Sequence, residues 1–598
     1  MSYHIEKNDI VIDGFELGIA ESPYKGIANL RSANIASSPG HLAVNFKTAA
    51  MNKPPVVSAL AFTVNTTTDV FTVASTTGWY NGMAIELITI VTSTGISTGR
   101  VYWIGDLTAT TFKLYVNPSR DATSVVNVTG SNGSGTLSSY TLGKPIDKTI
   151  SYEGPNLGAQ PFTHYLFILD DAGRVWWVDN TGGTPTSNLI YLGNDTLTGT
   201  TGRGIAMFKG YLIVFRTATQ DALNITQVQS GTDLDGVSGW VYGWNSISTS
   251  LETPRPIVVG QDDVLYYDNS ERVGSISENV GVTFDPSSGA SYTENTNALD
   301  LPEGKGITAL GELGTELLIG SIDNFVYPWD RISPSFRLPI RLPENYTKKI
   351  ITIKNIAYIF AGNKGKIYRT TGSSAETWKK IPDHLAGVFE PYFAWLDADS
   401  QNDQLYFSFT TSQNDGTAIA TLGGVWAIDL ITEALRHAHQ LSYGNGGTVS
   451  MITRNPLADD GTATTPSYTP AGSGLYVGWD NSGSYGVDEG SSNPYSNYET
   501  ILETEIIPIG NYTFPVTLSQ IEYKLARPLV SGEAVRVSFR KNLTASYEVI
   551  YTVTDAGAVS APSDTTFEDA EWVQFKVELS STNTTPSHVP LRELRIRQ

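Results

Sequence analysis

The stretch YLFILDDAGRVWWVD, Tyr165–Asp179, decides the fold class because it joins two apolar runs through the turn residues Asp-Asp-Ala-Gly. Apolar runs of this length around such a turn are typical of a β-hairpin. The same pattern recurs at Tyr211–Phe215 with a partner near Ile225, Val264–Ile276, Glu316–Tyr327, Ala357–Tyr368, Leu405–Phe409 with Gly424–Ile428, and Gly474–Tyr485. The repetition predicts a series of antiparallel hairpins between residues 165 and 488.

The spacing of these hairpins favours a β-propeller. Successive copies start roughly 40 to 70 residues apart, which is near the length of a four-stranded propeller blade. A hairpin cannot bury both of its faces alone, so successive copies must stack. We therefore predict an all-β fold with an irregular β-propeller of six or seven blades. Unrelated hairpins in sandwich domains are the alternative, because the copies share no fixed consensus.

Smaller β units are predicted on either side of the propeller. Residues 1–55 form an extended segment with a strand at Leu42–Lys47, which either completes the last blade or reaches a neighbouring subunit. Residues 56–145 contain short alternating strands and Thr/Ser/Gly turns, which predict an inserted small β-barrel or sandwich. The propeller is assigned to residues 146–490. Residues 498–598 alternate clearly and predict a C-terminal jelly-roll-like β-sandwich.

Composition limits the classes of function. The chain of 598 residues has no cysteine, which excludes disulfides and thiolate chemistry. Its net charge of −21 argues against gripping nucleic acid, but it does not argue against nucleic acid passing by, since an acidic lumen would repel DNA if other features indicated a conduit. The N-terminus lacks a signal-peptide pattern, and no apolar run is long enough to span a membrane. We expect synthesis and assembly in a cytoplasm.

Candidate chemical sites are sparse. His437 and His439 lie two residues apart and would share one face of a strand, which makes a possible metal half-site without a third ligand of diagnostic spacing. The segment Thr371–Trp378 resembles the Asp-box turn of sialidase propellers but lacks its Asp. We predict no enzymatic activity, no catalytic residue, no cofactor and no metal.

One family resemblance follows from the N-terminal motif DGFELGIAESPY, Asp13–Tyr24, taken with the inserted module, the irregular propeller and the C-terminal sandwich. This layout resembles the tail nozzle, or tail tubular B, proteins of short-tailed phages. The resemblance implies a structural virion protein that forms a homo-oligomeric ring, expected to be a hexamer. Such a ring would extend the DNA channel without sequence-specific binding, and it would dock adaptor or connector proteins and tail fibre or tail-tip proteins.

Two other functions stay open. A receptor-binding or fibre-type virion protein could stack host glycans on exposed tryptophans such as Trp240, Trp244 and Trp479, although burial inside blades is the commoner position for tryptophan. A glycan-degrading propeller enzyme is the third reading. Basic residues also cluster near the C-terminus and could dock an acidic neighbour or simply form a solvated strand face: Arg536, Arg540, Lys541, Arg592, Arg595 and Arg597.

Overall fold

A computed structural model gives the fold of the chain. It describes residues 2–6, 9–13, 30–32, 46–151, 165–179, 188–193, 201–228, 233–234, 239–250, 252–381, 392–401, 403–412, 424–431, 433, 435–442, 447–454, 475–490, 498–504, 507–508, 516–518, 520–525, 528–529, 531–540, 547–554, 560–563, 567–570, 572–581 and 591–597. Within these ranges the chain is all-β, with two 3-10 turns at Ala122–Ser124 and Ile225–Val228.

Ten strands precede the repeated hairpins. The N-terminal four are β1 (Ser2–Glu6), β2 (Asp9–Asp13), β3 (Leu30–Ser32) and β4 (Phe46–Ala50). The next six close into a barrel in the order β10-β5-β6-β9-β8-β7. These are β5 (Leu60–Asn65), β6 (Val70–Thr72), β7 (Ala84–Thr94), β8 (Val101–Gly105), β9 (Thr111–Tyr115) and β10 (Thr129–Ser139).

Five four-stranded sheets follow, each built from strands consecutive in the chain. Sheet 1 contains β11 (Pro145–Ser151), β12 (Tyr165–Asp170), β13 (Val175–Asp179) and β14 (Asn188–Tyr191). Sheet 2 contains β15 (Gly202–Phe208), β16 (Tyr211–Arg216), β17 (Thr219–Asn224) and β18 (Val241–Ser246). Sheet 3 contains β19 (Ile257–Val259), β20 (Val264–Asn269), β21 (Arg272–Glu278) and β22 (Tyr292–Asp300). Sheet 4 contains β23 (Ile307–Leu313), β24 (Glu316–Ser321), β25 (Phe325–Trp329) and β26 (Ile340–Arg341). Sheet 5 contains β27 (Thr347–Ile353), β28 (Ile356–Ala361), β29 (Lys366–Thr370) and β30 (Ala375–Lys380).

An eight-stranded sheet completes the series, and we call its two halves sheet 6 and sheet 7. Sheet 6 contains β31 (Tyr392–Gln401), β32 (Gln404–Ser412), β33 (Val425–Asp429) and β34 (Leu435–Gln440). Sheet 7 contains β35 (Thr448–Arg454), β36 (Leu475–Asn481), β37 (Ser484–Gly490) and the N-terminal strand β4. Strand β4 pairs antiparallel with β37 and, through its first two residues, parallel with β34.

The second strand of a four-stranded sheet, such as β24 in sheet 4 or β28 in sheet 5, is apolar because neighbouring parts of the protein cover both of its faces. Leu317–Ser321 of β24 and Ala357–Ala361 of β28 are buried along their whole length. Strands covered on both faces have continuous apolar sequences instead of alternating ones. Sheets 4 and 5 approach so closely that a Cβ at Gly320 would lie 2.6 Å from the Thr347 methyl group. Burial between stacked sheets therefore explains the apolar runs in the sequence.

The first strands of the seven sheets contact one another in sequence. Strand β11 contacts β15, and the contacts continue through β19, β23, β27 and β31 to β35, which in turn contacts β11. The predicted all-β, propeller-like architecture is confirmed at this level. The partner of Tyr211–Phe215, predicted near Ile225, is β17 (Thr219–Asn224), which ends just before the 3-10 turn that begins at Ile225.

The barrel is docked on the outer strand of sheet 1. Trp103 Nε1 and Tyr80 OH donate to the main-chain oxygens of Tyr191 and Leu189, at 2.7 and 2.5 Å. Trp103 is fully buried, although it belongs to a barrel strand. These bonds satisfy carbonyl groups on an edge strand that would otherwise be open.

The C-terminal strands form two larger sheets together with N-terminal strands. They are β38 (Tyr498–Thr504), β39 (Ile507–Pro508), β40 (Val516–Leu518), β41 (Gln520–Leu525), β42 (Glu533–Arg540), β43 (Glu548–Val553), β44 (Ser560–Ser563), β45 (Phe567–Ala570), β46 (Trp572–Ser581) and β47 (Leu591–Arg597). One sheet has the order β1-β2-β47-β41-β44 and the other β3-β38-β46-β42-β43, with β39 also on β46 and a separate β40-β45 pair.

Candidate functional site: a charge cluster on the first strands

Four charged residues meet on the first strands of three sheets. Asp147 and Lys148 lie on β11 of sheet 1, Lys349 lies on β27 of sheet 5, and Asp397 lies on β31 of sheet 6. We call these four residues the axial cluster. Because the first strands contact one another across the sheet series, residues 249 positions apart in sequence come together here.

Asp397 is the centre of the cluster. Its carboxylate forms ion pairs with Lys148 and with Lys349, the latter at 3.0 Å between Nζ and Oδ1. The main-chain N–H of Ile452, on β35 of sheet 7, also donates to Asp397 Oδ2 at 2.9 Å. One buried carboxylate thus connects sheets 1, 5, 6 and 7.

Asp147 extends the connections to sheet 2. The Ile205 N–H on β15 donates to Asp147 Oδ2 at 2.9 Å, and the Met207 N–H donates to Thr149 Oγ1 at 3.0 Å. Asp147 and Thr149 therefore face sheet 2, while Lys148 faces the opposite way toward Asp397. This is the alternation expected of a β-strand.

The two carboxyl groups have pKa values shifted in opposite directions. Burial raises the pKa of Asp147 to about 6, with Lys148, Lys349 and main-chain N–H groups opposing the shift. Burial acts in the same direction on Asp397, but Lys148 and Lys349 outweigh it and hold that pKa well below its usual range. Burial opposes the charge of Lys349, yet Asp397 and Asp147 raise its pKa. The two pKa values differ because, in the described part of the chain, both ammonium groups form ion pairs with Asp397 and neither forms one with Asp147.

A second ionic link lies at the segment that enters sheet 3. The nearly buried Glu252 carboxylate accepts from Lys348 Nζ at 3.2 Å and from the Tyr346 hydroxyl. Tyr346 and Lys348 belong to the start of sheet 5, so this link spans sheet 4. Lys348 and Lys349 thus bind carboxylates on opposite sides of the same strand.

The chemistry of these groups is that of structural ties. Lysine ammonium groups are held by carboxylates, and the carboxylates accept main-chain N–H groups, so neither is presented as an activated nucleophile. In the described ranges, no group of three or more His, Asp or Glu side chains is arranged to hold a metal. His439 is buried near the Tyr406 ring, and His437 pairs through its main chain with Trp426 while its side chain lies outside the described part.

The tryptophans considered for glycan stacking are packed inside the protein. Trp240 is buried and donates to the Leu192 carbonyl at 2.9 Å. Trp479 is buried and donates to Asp488 Oδ1 at 2.7 Å. Trp244 is partly buried in edge-to-face contact with Tyr292. Trp244 lies on β18 and Trp479 on β36, and Trp240 directly precedes β18. Burial within the sheets, the commoner position, therefore applies to Trp240 and Trp479.

The other sequence candidates are dispersed. Thr371–Trp378 comprises the turn between β29 and β30 and the first four residues of β30, and in that turn Thr370 Oγ1 accepts from the Gly372 N–H. Arg536 Nη1 lies 3.7 Å from Glu578 Oε2, and the Arg540 guanidinium stacks on the Tyr547 ring. Lys541 and the side chains on β47, including Arg592, Arg595 and Arg597, lie outside the described part.

The axial cluster was missed by sequence reasoning. The adjacent lysines at 348 and 349 and the single carboxylate in the apolar run Phe393–Ala398 were available signals. Charged residues inside apolar strands are uncommon unless they are paired. Pairing partners hundreds of residues apart could not be identified from one sequence.

Comparisons with known proteins give no family assignment. No family model matches the chain, and no curated protein matches it. Similar solved structures include the computationally designed Ika8 protein, with 10% identity and a TM-score of 0.33, covering 58% of this chain and all of that one. Raptor from Chaetomium thermophilum has 10% identity and a TM-score of 0.37, covering 59% of this chain and 28% of that one. These scores are too low to support a functional inference. Over the described residues, no helix has the length and hydropathy of a membrane span.

Proposed function

We propose that the chain is a non-enzymatic structural component of a phage tail or head-to-tail connector and acts in the virion. The observation that carries this proposal is the way the N-terminal strands join separate parts of the molecule. Strand β2 pairs with β47, β3 pairs with β38, and β4 pairs with both β34 and β37. Main-chain pairing of this kind transmits force between units without a flexible linker, as a mechanical part of a tail requires.

The sheet series is, in this proposal, a seven-bladed β-propeller closed by β4. Support comes from the cycle of contacts among seven first strands and from the outer position of β4 in sheet 7. Closing the last blade with a strand from the other end of the chain would hold the ring shut. The two C-terminal sheets would form the predicted sandwich.

Several copies would assemble into a ring, for which we propose a hexamer, with DNA passing through the ring lumen between copies. The axial cluster and Glu252 occupy the contacts among first strands, so the DNA path would not follow the propeller axis. A net charge of −21 favours passage without adhesion. Adaptor or connector proteins and tail fibre or tail-tip proteins would bind the ring.

Native mass spectrometry and negative-stain imaging of the purified chain at increasing concentration, alone and with phage connector protein, test this proposal. We expect a closed six-fold ring with an axial hole. A chain that stays monomeric or forms only trimers under every condition would overturn the ring and favour the receptor-binding reading. Host surface glycans on an array would then be the next ligands to test.

A further inference from the structure

Two carboxyl groups, the partly buried Asp147 and the fully buried Asp268, hold separate elements together without an ion pair. Among the described residues, neither forms an N–O contact with Lys or Arg short enough for a salt bridge, whereas the buried carboxylates of Asp397 and Asp221 do. A buried carboxylate without a cationic partner carries a large desolvation penalty. Its neutral form is therefore favoured relative to the solvated group.

Asp147 ties sheet 1 to sheet 2 through the Ile205 N–H. The charged groups that act on it are Lys148 on its own strand and Lys349 on β27, and both ammonium groups bind Asp397 on β31. Because both ammonium groups pair with Asp397, they lower the pKa of Asp147 less than a direct ion pair would. A neutral carboxyl group keeps its carbonyl oxygen, so the bond from Ile205 survives protonation.

Asp268 ties β20 to the segment entering sheet 3. The Ser250 hydroxyl donates to Asp268 Oδ2, while the fully buried Oδ1 has no hydrogen-bond partner in the described part of the chain. Arg255 is close, but its Nη1 and Nη2 donate to the main-chain oxygens of Asp268 and Ser248. Arg203 acts on Arg255, and Glu252 acts on Asp268 with like charge. The Ser250 hydroxyl can also accept, so this tie too survives protonation.

We infer that Asp147 and Asp268 are two proton-sensitive contacts, and that in mild acid they hold sheet 1 to sheet 2, and β20 to the segment that enters sheet 3, more tightly than at neutral pH. Burial raises the pKa of each carboxyl group from 3.8 to about 6. The folded state then binds more protons than the unfolded state between about pH 4 and pH 6, so stability from these groups rises as the pH falls through 6. The inference does not depend on the proposed function.

Hydrogen exchange read by mass spectrometry at pH 7.5 and pH 5.0, corrected for the intrinsic rate, tests the pair in the full chain. In the wild type we expect protection of β15 and of residues 247–256 to increase by roughly tenfold at pH 5.0, because one carboxyl group with a pKa of about 6 acts on each segment. Asp147→Asn should give β15 the same protection at both pH values, because Asn is neutral throughout. Asp268→Asn should do the same for residues 247–256.

Asp221→Asn is the control, because Asp221 in sheet 2 is as fully buried as Asp268 but is paired with Arg216. This variant should lose protection at both pH values. The inference is overturned if wild-type protection of both segments is unchanged or falls at pH 5.0, or if the Asn variants at 147 and 268 keep the wild-type pH response. The wild-type comparison stands even if a variant fails to fold.

Discussion

Neighbouring carboxyl groups differ in pKa in this protein because single atomic contacts decide how readily each one ionises. Asp147 and Asp397 are both surrounded by protein and lie near the same two lysines. Only Asp397 has both ammonium groups within ion-pair distance. A shift of one pKa unit corresponds to about 1.4 kcal/mol, so contacts of this kind have consequences for stability.

Replacement of the paired member should be strongly destabilising. Asp397→Asn leaves the two ammonium groups without their shared carboxylate, and we expect a loss of about 3–5 kcal/mol in the free energy of unfolding at pH 7. Because the pKa of Asp397 is depressed, its contribution is present above about pH 4 and declines as the pH falls below that value. Urea unfolding followed by tryptophan fluorescence at pH 7 and pH 3 measures both effects.

An exposed pair provides the control for this experiment. Asp300 pairs with Arg272 while both side chains are more than half exposed, so Asp300→Asn should cost less than about 1 kcal/mol. Equal losses for the two variants at pH 7 would contradict the role given to Asp397.

At the scale of elements, sequence patterns predicted the hairpins but not the contacts between them. The run Tyr165–Asp179 and its later copies are continuous apolar strands because sheets cover both of their faces. Turn residues fix a hairpin locally, so they are readable from one sequence. The exposure of Trp240 and the pairing of Lys148 with Asp397 depend on parts of the chain 48 and 249 residues away. Contacts between residues this far apart can be identified only once the three-dimensional arrangement of the sheets is known.

The pairing of β4 with β37 gives a sharp test at this scale. Met51 donates its N–H to the Val487 oxygen, so strand alternation directs the Ala49 N–H toward Glu489 as well. Ala49→Pro removes that donor from a strand with neighbours on both sides, and we expect a loss of at least about 2 kcal/mol. Hydrogen exchange of Leu475–Gly490 should increase because sheet 7 loses its outer strand.

Ala50→Pro is the matched control for β4. The Ala50 N–H points away from β37 in the same alternation, so this proline leaves the Ala49 and Met51 donors in place. Protection of β36 and β37 should then stay near the wild-type level. If both proline variants increase hydrogen exchange of β36 and β37 equally, the main-chain hydrogen bonds between β4 and β37 do not stabilise sheet 7.

At the scale of the whole molecule, two features act together. N-terminal strands are paired into the C-terminal sheets and into sheet 7, so distant parts of the chain are joined by main-chain hydrogen bonds. The sequence as a whole carries 60 acidic against 39 basic residues. In the role proposed for the chain, the excess of negative charge would let a polyanion pass without being retained.

The charge leads to a prediction for DNA. A protein that grips a duplex through phosphate contacts binds it much more tightly as the salt concentration falls. We expect no such increase in binding here, because lower salt strengthens the repulsion between the net charge of −21 and the DNA phosphates. Fluorescence anisotropy of a labelled 30-base-pair duplex, a length of about three helical turns, should therefore show no binding at 150 mM NaCl and none at 20 mM NaCl. Binding that appears at low salt would reveal a basic surface that dominates the acidic whole and would remove the argument that DNA passes without adhesion.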